Sequence, residues 1–288
     1  MTPHDARDTV PDAALDEQLS QGEARLYQRL SEFESIVVAY SGGVDSAYLA
    51  WAANRARPGQ VLCVTADSAS YPRRHRDIAE AIARDFHLPH EFISTAELAR
   101  PEYRANPANR CYHCKTELYE HLSALARDRG FAVVVDGSNA DDRGDYRPGR
   151  QAAREYGVRS PLDEAGLTKP EIRALARRAG LPIWDEPASA CLSSRIPYQS
   201  EVTEEKLAII ERAEEAVRQL GFRVFRVRHH DTLARIEVAR DEMARALEPT
   251  VNEALVAALK AAGYQYVSLD LQGYRTGSLN EVLRLRPV

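Results

Sequence analysis

The sequence predicts an α/β protein: a doubly wound parallel sheet followed by a second, smaller α+β domain. Three observations carry this. Between residues 36 and 135, short apolar runs alternate with helical stretches of about ten residues or more, the pattern of βαβ units. The first apolar run ends in a glycine corner, Ser41-Gly-Gly-Val-Asp-Ser46, from which a helix departs. Beyond residue 220 the order becomes strand, strand, helix, helix, strand, which suits a separate small unit. The expected division is a disordered tail over 1–18, the sheet domain over 19–190 and the α+β domain over 191–288.

The elements follow in order. Met1 to Asp16 is polar, with Pro3, Pro11 and several aspartates, and reads as a tail. Leu19 to Leu30 is a first helix, residues 36–40 a first strand, and Asp45 to Arg55 the helix after the glycine corner. Val61 to Thr65 is a second strand. Arg74 to Phe86 is helical, with Ile78, Ile82 and Phe86 at four-residue spacing. His90 to Ile93 is a third strand and Cys114 to Arg129 a helix with Leu118, Leu122 and Leu125 on its apolar face. Phe131 to Val135 is a fourth strand that ends at Asp136-Gly-Ser-Asn139. Lys169 to Ala179 is a helix capped by Thr168 and stopped by Gly180. Leu181 to Gln199 has three prolines and no periodicity, and reads as the hinge and wall of a site. Thr203 to Leu220 is a strongly amphipathic helix. Strands at Phe222 to Arg228 and Leu233 to Val238, helices at Asp241 to Leu247 and Val251 to Ala262, and a strand at Tyr264 to Leu271 complete the chain.

The bulk numbers narrow the function classes. The 288 residues, 44% of them hydrophobic, can bury a substantial core. A net charge of −5 gives no global basic field, so a nucleic-acid partner is not expected. No apolar run approaches the roughly 20 residues that span a bilayer, and the N-terminus lacks an export signal. With only four cysteines, the expectation is a reducing cytoplasm and no disulfide framework.

The glycine corner is the richest feature. Gly42 and Gly43 let backbone approach a ligand, and the helix start behind them leaves unpaired N–H groups at a positive dipole end. Such a corner binds phosphate. Ser41 and Ser46 add hydroxyls. Asp45 adds a carboxylate that suits Mg²⁺ beside phosphate. The Walker pattern needs a lysine that this stretch lacks. Ligands of doubly wound sheets sit beyond the carboxyl ends of strands, which adds Thr65, Asp136 and Gly137 to the candidates.

Cys111 and Cys114 form a C-x-x-C pair, and Cys191 lies in a stretch of small residues that can wrap a ligand. Three thiolates suit a 4Fe–4S cluster with one open iron; zinc held with His113, or uncoordinated thiols, remain alternatives. Cys63 lies mid-strand and reads as a buried small hydrophobe. Arg226, Arg228 and His230 share one strand face, and Arg275 follows the last strand in a glycine-flanked loop; they are either a solvated face or a phosphate clamp. Asp136, Asn139, Asp141, Asp142 and Asp145 are either a polar loop or a wall for metal and substrate.

The SGGVDS corner resembles the pyrophosphate loop of the PP-loop ATP pyrophosphatases, a HUP-like α/β fold. It occurs in order with Asp136-Gly-Ser-Asn139, Asp145-Tyr-Arg-Pro-Gly149, Ala190-Cys-Leu-Ser-Ser-Arg-Ile-Pro-Tyr198, Arg226-Val-Arg228 and Leu269-Asp-Leu-Gln-Gly-Tyr-Arg275. Together these resemble the LarE family of ATP-dependent sulfur transferases over roughly residues 20–285. The resemblance implies that ATP and Mg²⁺ adenylate a carboxylate of pyridinium-3,5-biscarboxylic acid mononucleotide. Sulfur then displaces AMP to give a thiocarboxylate of the nickel-pincer nucleotide cofactor. It implies ATP contacts at Ser41, Gly42, Gly43, Asp45, Ser46, Thr65, Asp136 and Gly137, and substrate-phosphate contacts at Ser194, Arg195, Arg226, Arg228 and Arg275. Cys111, Cys114 and Cys191 match members that hold a 4Fe–4S cluster, whereas members that sacrifice one cysteine carry it where this chain has Ala190. As cluster ligands the three sulfurs must converge within about 7 Å. Gln199 departs from the glycine that many relatives carry there. A small nucleotide substrate, no membrane and an assembly of identical chains are expected. The rivals are a tRNA thiolation enzyme, which needs an extended basic surface, and a non-catalytic nucleotide-binding zinc protein.

Overall fold

The computed structural model describes residues 12–144, 148–187 and 190–284. Four short strands form a parallel sheet in the order β3-β2-β1-β4: β1 Ile36–Ala39, β2 Val61–Asp67, β3 His90–Ser94 and β4 Val133–Val135. Ile36 stands opposite Val61 on one side and Val133 on the other. All four β1 residues are buried, because both faces of the sheet are covered. Strand alternation divides them: Ile36 and Val38 join a core with Leu26, Leu30, Leu49, Ile82 and Ile172, while Val37 and Ala39 join a second core with Tyr119, Leu122 and Ala152.

The flanking helices are α1 Asp12–Ser31, α2 Val44–Ala56, α3 Arg73–Asp85, α4 Pro101–Arg104, α5 Arg110–Arg129, α6 Gly149–Glu155, α7 Pro161–Glu164 and α8 Lys169–Arg178. Residues 12–18, expected in the tail, are helical. Ala13, Ala14, Leu15, Glu17 and Gln18 favour helix, and the turn is anchored where Arg178 donates to Asp16 Oδ1 at 3.0 Å. The order β3-β2-β1-β4 puts the winding reversal between β1 and β4, so the carboxyl end of β1 opens on the crevice where such sheets bind ligands.

The chain continues through α9 Glu204–Gln219 into β5 Phe225–His230, β6 Leu233–Val238, α10 Met243–Ala246, α11 Pro249–Ala262, β7 Tyr266–Leu269 and α12 Glu281–Arg284. β5 and β6 are antiparallel and β7 joins β6 in parallel, a sheet separate from the first. Phe222, Phe225, Val227, Ile236, Leu255 and Leu259 fill its core. A fourth cluster, Tyr103, Leu192, Ile196, Val202, Leu207 and Ile210, connects α4 and the 192–202 segment to α9. Among the described residues no helix is long and apolar enough to cross a membrane.

Candidate active site

β1 delivers the Ser41–Ser46 corner to the crevice. The Ser41 backbone N–H donates to Ser46 Oγ at 3.1 Å, the Ser46 hydroxyl donates to Gly43 O at 3.0 Å, and the two serine hydroxyls lie 3.1 Å apart. Gly42 has φ +66°, and a Cβ there would stand 2.9 Å from the Ala79 Cβ; α3 packs too closely on the loop for any side chain. Gly137 is bound by contact instead: a Cβ would meet Ser46 N at 3.0 Å. No side chain caps α2, so its first N–H groups face the crevice.

Asp45, in the first turn of α2, pairs through Oδ2 with Lys169 Nζ from the start of α8. Its other oxygen, Oδ1, is buried with no hydrogen-bond partner among the described residues. Burial pushes the Asp45 carboxyl above its ordinary range, and Lys169 pulls against that shift.

Thr65 and Asp136 come to the same end of the sheet with their polar atoms already employed. Thr65 is buried; its hydroxyl donates to Tyr40 O at 2.7 Å and meets His90 Nε2 at 2.8 Å. Asp136 accepts from Tyr119 at 2.7 Å, Ser160 at 2.7 Å, and both the amide and hydroxyl of Ser138 at 3.1 Å. These two shape the crevice from behind. Of the acidic loop, Asp142 accepts from the Asn139 amide and Asp141 from the Lys169 amide, so the wall braces the lysine that meets Asp45. Asp145 lies outside the described residues.

Cys191 opens a tight turn. Its carbonyl accepts from the Ser194 amide, the Ser194 hydroxyl and Arg195 Nη1, at 3.0, 2.8 and 3.0 Å. Leu192 N donates to Ser70 O at 2.9 Å, and the neighbouring Tyr71 hydroxyl donates to Ser41 O at 3.0 Å. Two bonds through adjacent residues thus fix the Cys191 turn beside the glycine corner. On the other side, α5 starts at Arg110 rather than Cys114, which sets Cys111 and Cys114 one turn apart on a single helix face. Cys111 is exposed, and the protein crowded around it still raises its thiol pKa, with Cys191 the next cause. Burial and Cys191 also raise Cys114, which packs against the Tyr103–Leu192 cluster. The three thiols are electrostatic neighbours. Cys63 is fully buried and pushed up to about 12, an inert core thiol.

Likenesses to known proteins bear on this geometry. Residues 26–143, which hold the glycine corner and the C-x-x-C pair, match the asparagine synthase family model. A protein of Lactiplantibacillus plantarum named pyridinium-3,5-bisthiocarboxylic acid mononucleotide synthase is 34% identical over 266 residues, covering 92% of this chain and 96% of that protein. The chain belongs to this, the LarE, family. An uncharacterised protein of a Synechocystis strain is 44% identical over 90% of this chain and 96% of its own length, and one of Methanocaldococcus jannaschii is 28% identical over 84% and 92%.

Within the LarE family, this geometry lends a 4Fe–4S cluster no support. Among the described residues, no three His, Cys, Asp or Glu side chains are gathered as ligands of one metal. The Cys191 turn is held by the Ser70 and Arg195 bonds, and Cys111 and Cys114 are carried by α5.

Two of the arginines expected to bind phosphate meet buried carboxylates of the protein. Arg195, 1% exposed, donates Nε and Nη2 to Glu214 at 2.8 and 2.7 Å, and Nη1 to the carbonyls of Ala190 and Cys191. Arg228 donates Nε and Nη2 to the buried Glu237 at 2.9 and 2.7 Å and Nη1 to Ser194 O at 2.9 Å. Both are braces of the Cys191 turn, their donors spent on protein acceptors. Ser194 belongs to the same brace. Arg226 lies over the Tyr274 ring at 5.1 Å, and Arg275 meets Glu281 at 3.1 Å near the surface.

Lys169 and Glu214 escaped the sequence reading, and each carried a signal. A cation at the first position of a helix opposes the dipole, as Lys169 does. Glu214 interrupts the apolar stripe Leu207, Ile210, Ala213, Val217, where a buried acid requires a buried partner.

Proposed function

We propose that this chain is an ATP-dependent sulfur transferase that adenylates the carboxylates of pyridinium-3,5-biscarboxylic acid mononucleotide and converts them to thiocarboxylates, releasing AMP and pyrophosphate. The observation that carries the reading is the tie between the glycine corner and the Cys191 turn through Ser70 and Tyr71. It brings a phosphate-binding helix start and a sulfur-bearing turn to one crevice, and the named relative from Lactiplantibacillus plantarum supplies the substrate class.

A carboxylate is a poor electrophile, and adenylation gives it a leaving group. The α2 N–H groups and the serine hydroxyls receive the departing pyrophosphate, and Lys169 lies close enough to share its charge. The buried, unpartnered Asp45 Oδ1 fits Mg²⁺, which when bound neutralises charge on the leaving group. Arg226 and Arg275 are the groups proposed for the substrate's own phosphate. In the second half, a hydrosulfide sulfur bonds to the acyl carbon, the bond to the AMP oxygen breaks with its electron pair, and the S–H proton passes to water. Nothing is oxidised or reduced. The cysteines handle the sulfur before it is transferred.

The test is the mass of the mononucleotide after incubation with ATP, Mg²⁺ and sulfide. One oxygen-to-sulfur exchange per AMP formed is expected. AMP formation without sulfur gain, or no ATP cleavage with this substrate, would overturn the reading.

A further inference from the structure

Arg110, the first residue of α5, is a buried cation with an unusual set of neighbours. It is 3% exposed. Nη1 donates to Asn106 Oδ1 and to Ser193 O, both neutral acceptors. Among the described residues no carboxylate lies within ion-pair distance of it, whereas Arg195 and Arg228, the other deeply buried arginines of the region, each have a bidentate carboxylate. The groups near Arg110 that can carry negative charge are the thiols of Cys191 and Cys111, then the phenols of Tyr103 and Tyr198. A buried guanidinium without a counter-charge is costly. The fold also aims it: Asn106, held at φ +54°, clamps the carbonyls of Pro197 and Ser200 at 2.8 and 2.9 Å, so Arg110 reaches from the start of α5 to the Cys191 turn. Lys115, one turn on, adds a second cation beside the C-x-x-C pair.

We infer that Arg110 is the counter-charge of an anionic-sulfur site. It is a positioning residue that pairs with a hydrosulfide or thiolate held among Cys111, Cys114 and Cys191 and keeps that sulfur at the junction of α5 and the 190–195 turn. This rests on the sulfur-transfer reading, and it adds the residue that holds the anionic sulfur in place. Arg110 favours a negative sulfur at this junction, against the burial that raises the Cys111 and Cys114 thiols. A neutral sulfur donor leaves Arg110 unpaired and is disfavoured.

Two measurements test this, with Arg110→Gln and Arg110→Lys compared against wild type. In the first, the sulfide dependence of thiocarboxylate formation is measured beside substrate-dependent pyrophosphate release. Arg110→Gln is expected to raise the sulfide KM about 30-fold, with pyrophosphate release within about twofold of wild type, and Arg110→Lys to restore most of the loss. Unchanged sulfide KM in Arg110→Gln, or equal loss of both half-reactions in both variants, would overturn the inference in favour of a purely structural arginine. The second needs neither ATP nor substrate. Reduced, chelator-treated protein is alkylated with iodoacetate or iodoacetamide, and modification at Cys111 and Cys191 is followed by peptide mass. The ratio of anionic to neutral reagent rates cancels the thiolate fraction and reports the local field. It is expected to fall about tenfold in Arg110→Gln and to stay near wild type in Arg110→Lys. An unaltered ratio contradicts the inference. If wild type cleaves no ATP while the ratio still falls, the function reading fails and the anion site stands.

Discussion

Asp45 stands between opposing demands: burial disfavours its charge, Lys169 restores it, and one oxygen is left for a ligand. Asp45→Ala is expected to slow pyrophosphate release at least about 100-fold with only a small shift of the thermal melt, because the ion pair it removes with Lys169 is partly exposed. Wild-type release in that variant would refute the role. Gln199 offers a test of strain. It holds φ +70°, a conformation that favours glycine, and its amide donates to Asn106 O at 2.9 Å, so the turn is fixed in place. Gln199→Gly is expected to stabilise the protein by up to about 1 kcal/mol, read as a higher denaturant midpoint; a lower midpoint would mean that the side chain contributes more than the strain costs. At this scale the glycine corner was legible because each residue answers a local demand. Lys169 was harder to see, since its partner lies 124 residues away. Arg195 and Arg228 had the chemistry of phosphate ligands, and only the positions of Glu214 and Glu237 reveal that their donors are engaged.

The helices and strands of the first sheet were readable from apolar period, and the differences lie at their ends. α5 extends back to Arg110 through residues without an apolar stripe, held by packing of Cys114 and Tyr103 that no local pattern announces. The short α6, α4 and α7 also lack a long period. α3 begins Arg73-Arg74-His75-Arg76, a basic first turn against the helix dipole, and its cations dock on Glu211, Glu186 and Asp67. His75 in that turn faces Tyr71, Arg74, Arg195, Arg218 and Glu186. Burial first, and then the arginines, lower its pKa to about 4. The unfolded chain therefore binds a proton that the folded chain refuses between about pH 6.5 and 4, so this contribution falls as pH drops through that window. The melting temperature is expected to decline from pH 7 to pH 5, and to decline less in His75→Gln. Parallel pH profiles for the two proteins would show that His75 does not contribute.

At the scale of the molecule, the parallel sheet and the second sheet were both anticipated from the order of elements, whereas the way the Cys191 turn is held between them was not. That turn hangs from Ser70 on one side and from the Arg195–Glu214 and Arg228–Glu237 pairs on the other. Glu214→Ala leaves Arg195 buried without its carboxylate and is expected to cost about 3–5 kcal/mol, measured by denaturant unfolding; a cost under about 1 kcal/mol would mean the pair is not buried in solution. The sulfur-bearing turn was visible in sequence only as a run of small residues, because its geometry depends on acids supplied by α9 and β6. The proposed function requires that a carboxylate be adenylated in the crevice beyond β1 before sulfur arrives. Its most direct test uses the mononucleotide with heavy-oxygen-labelled carboxylates, ATP and sulfide, and follows the label into AMP. One labelled oxygen in AMP for each thiocarboxylate formed is expected; unlabelled AMP, or label recovered in inorganic phosphate, would contradict the account.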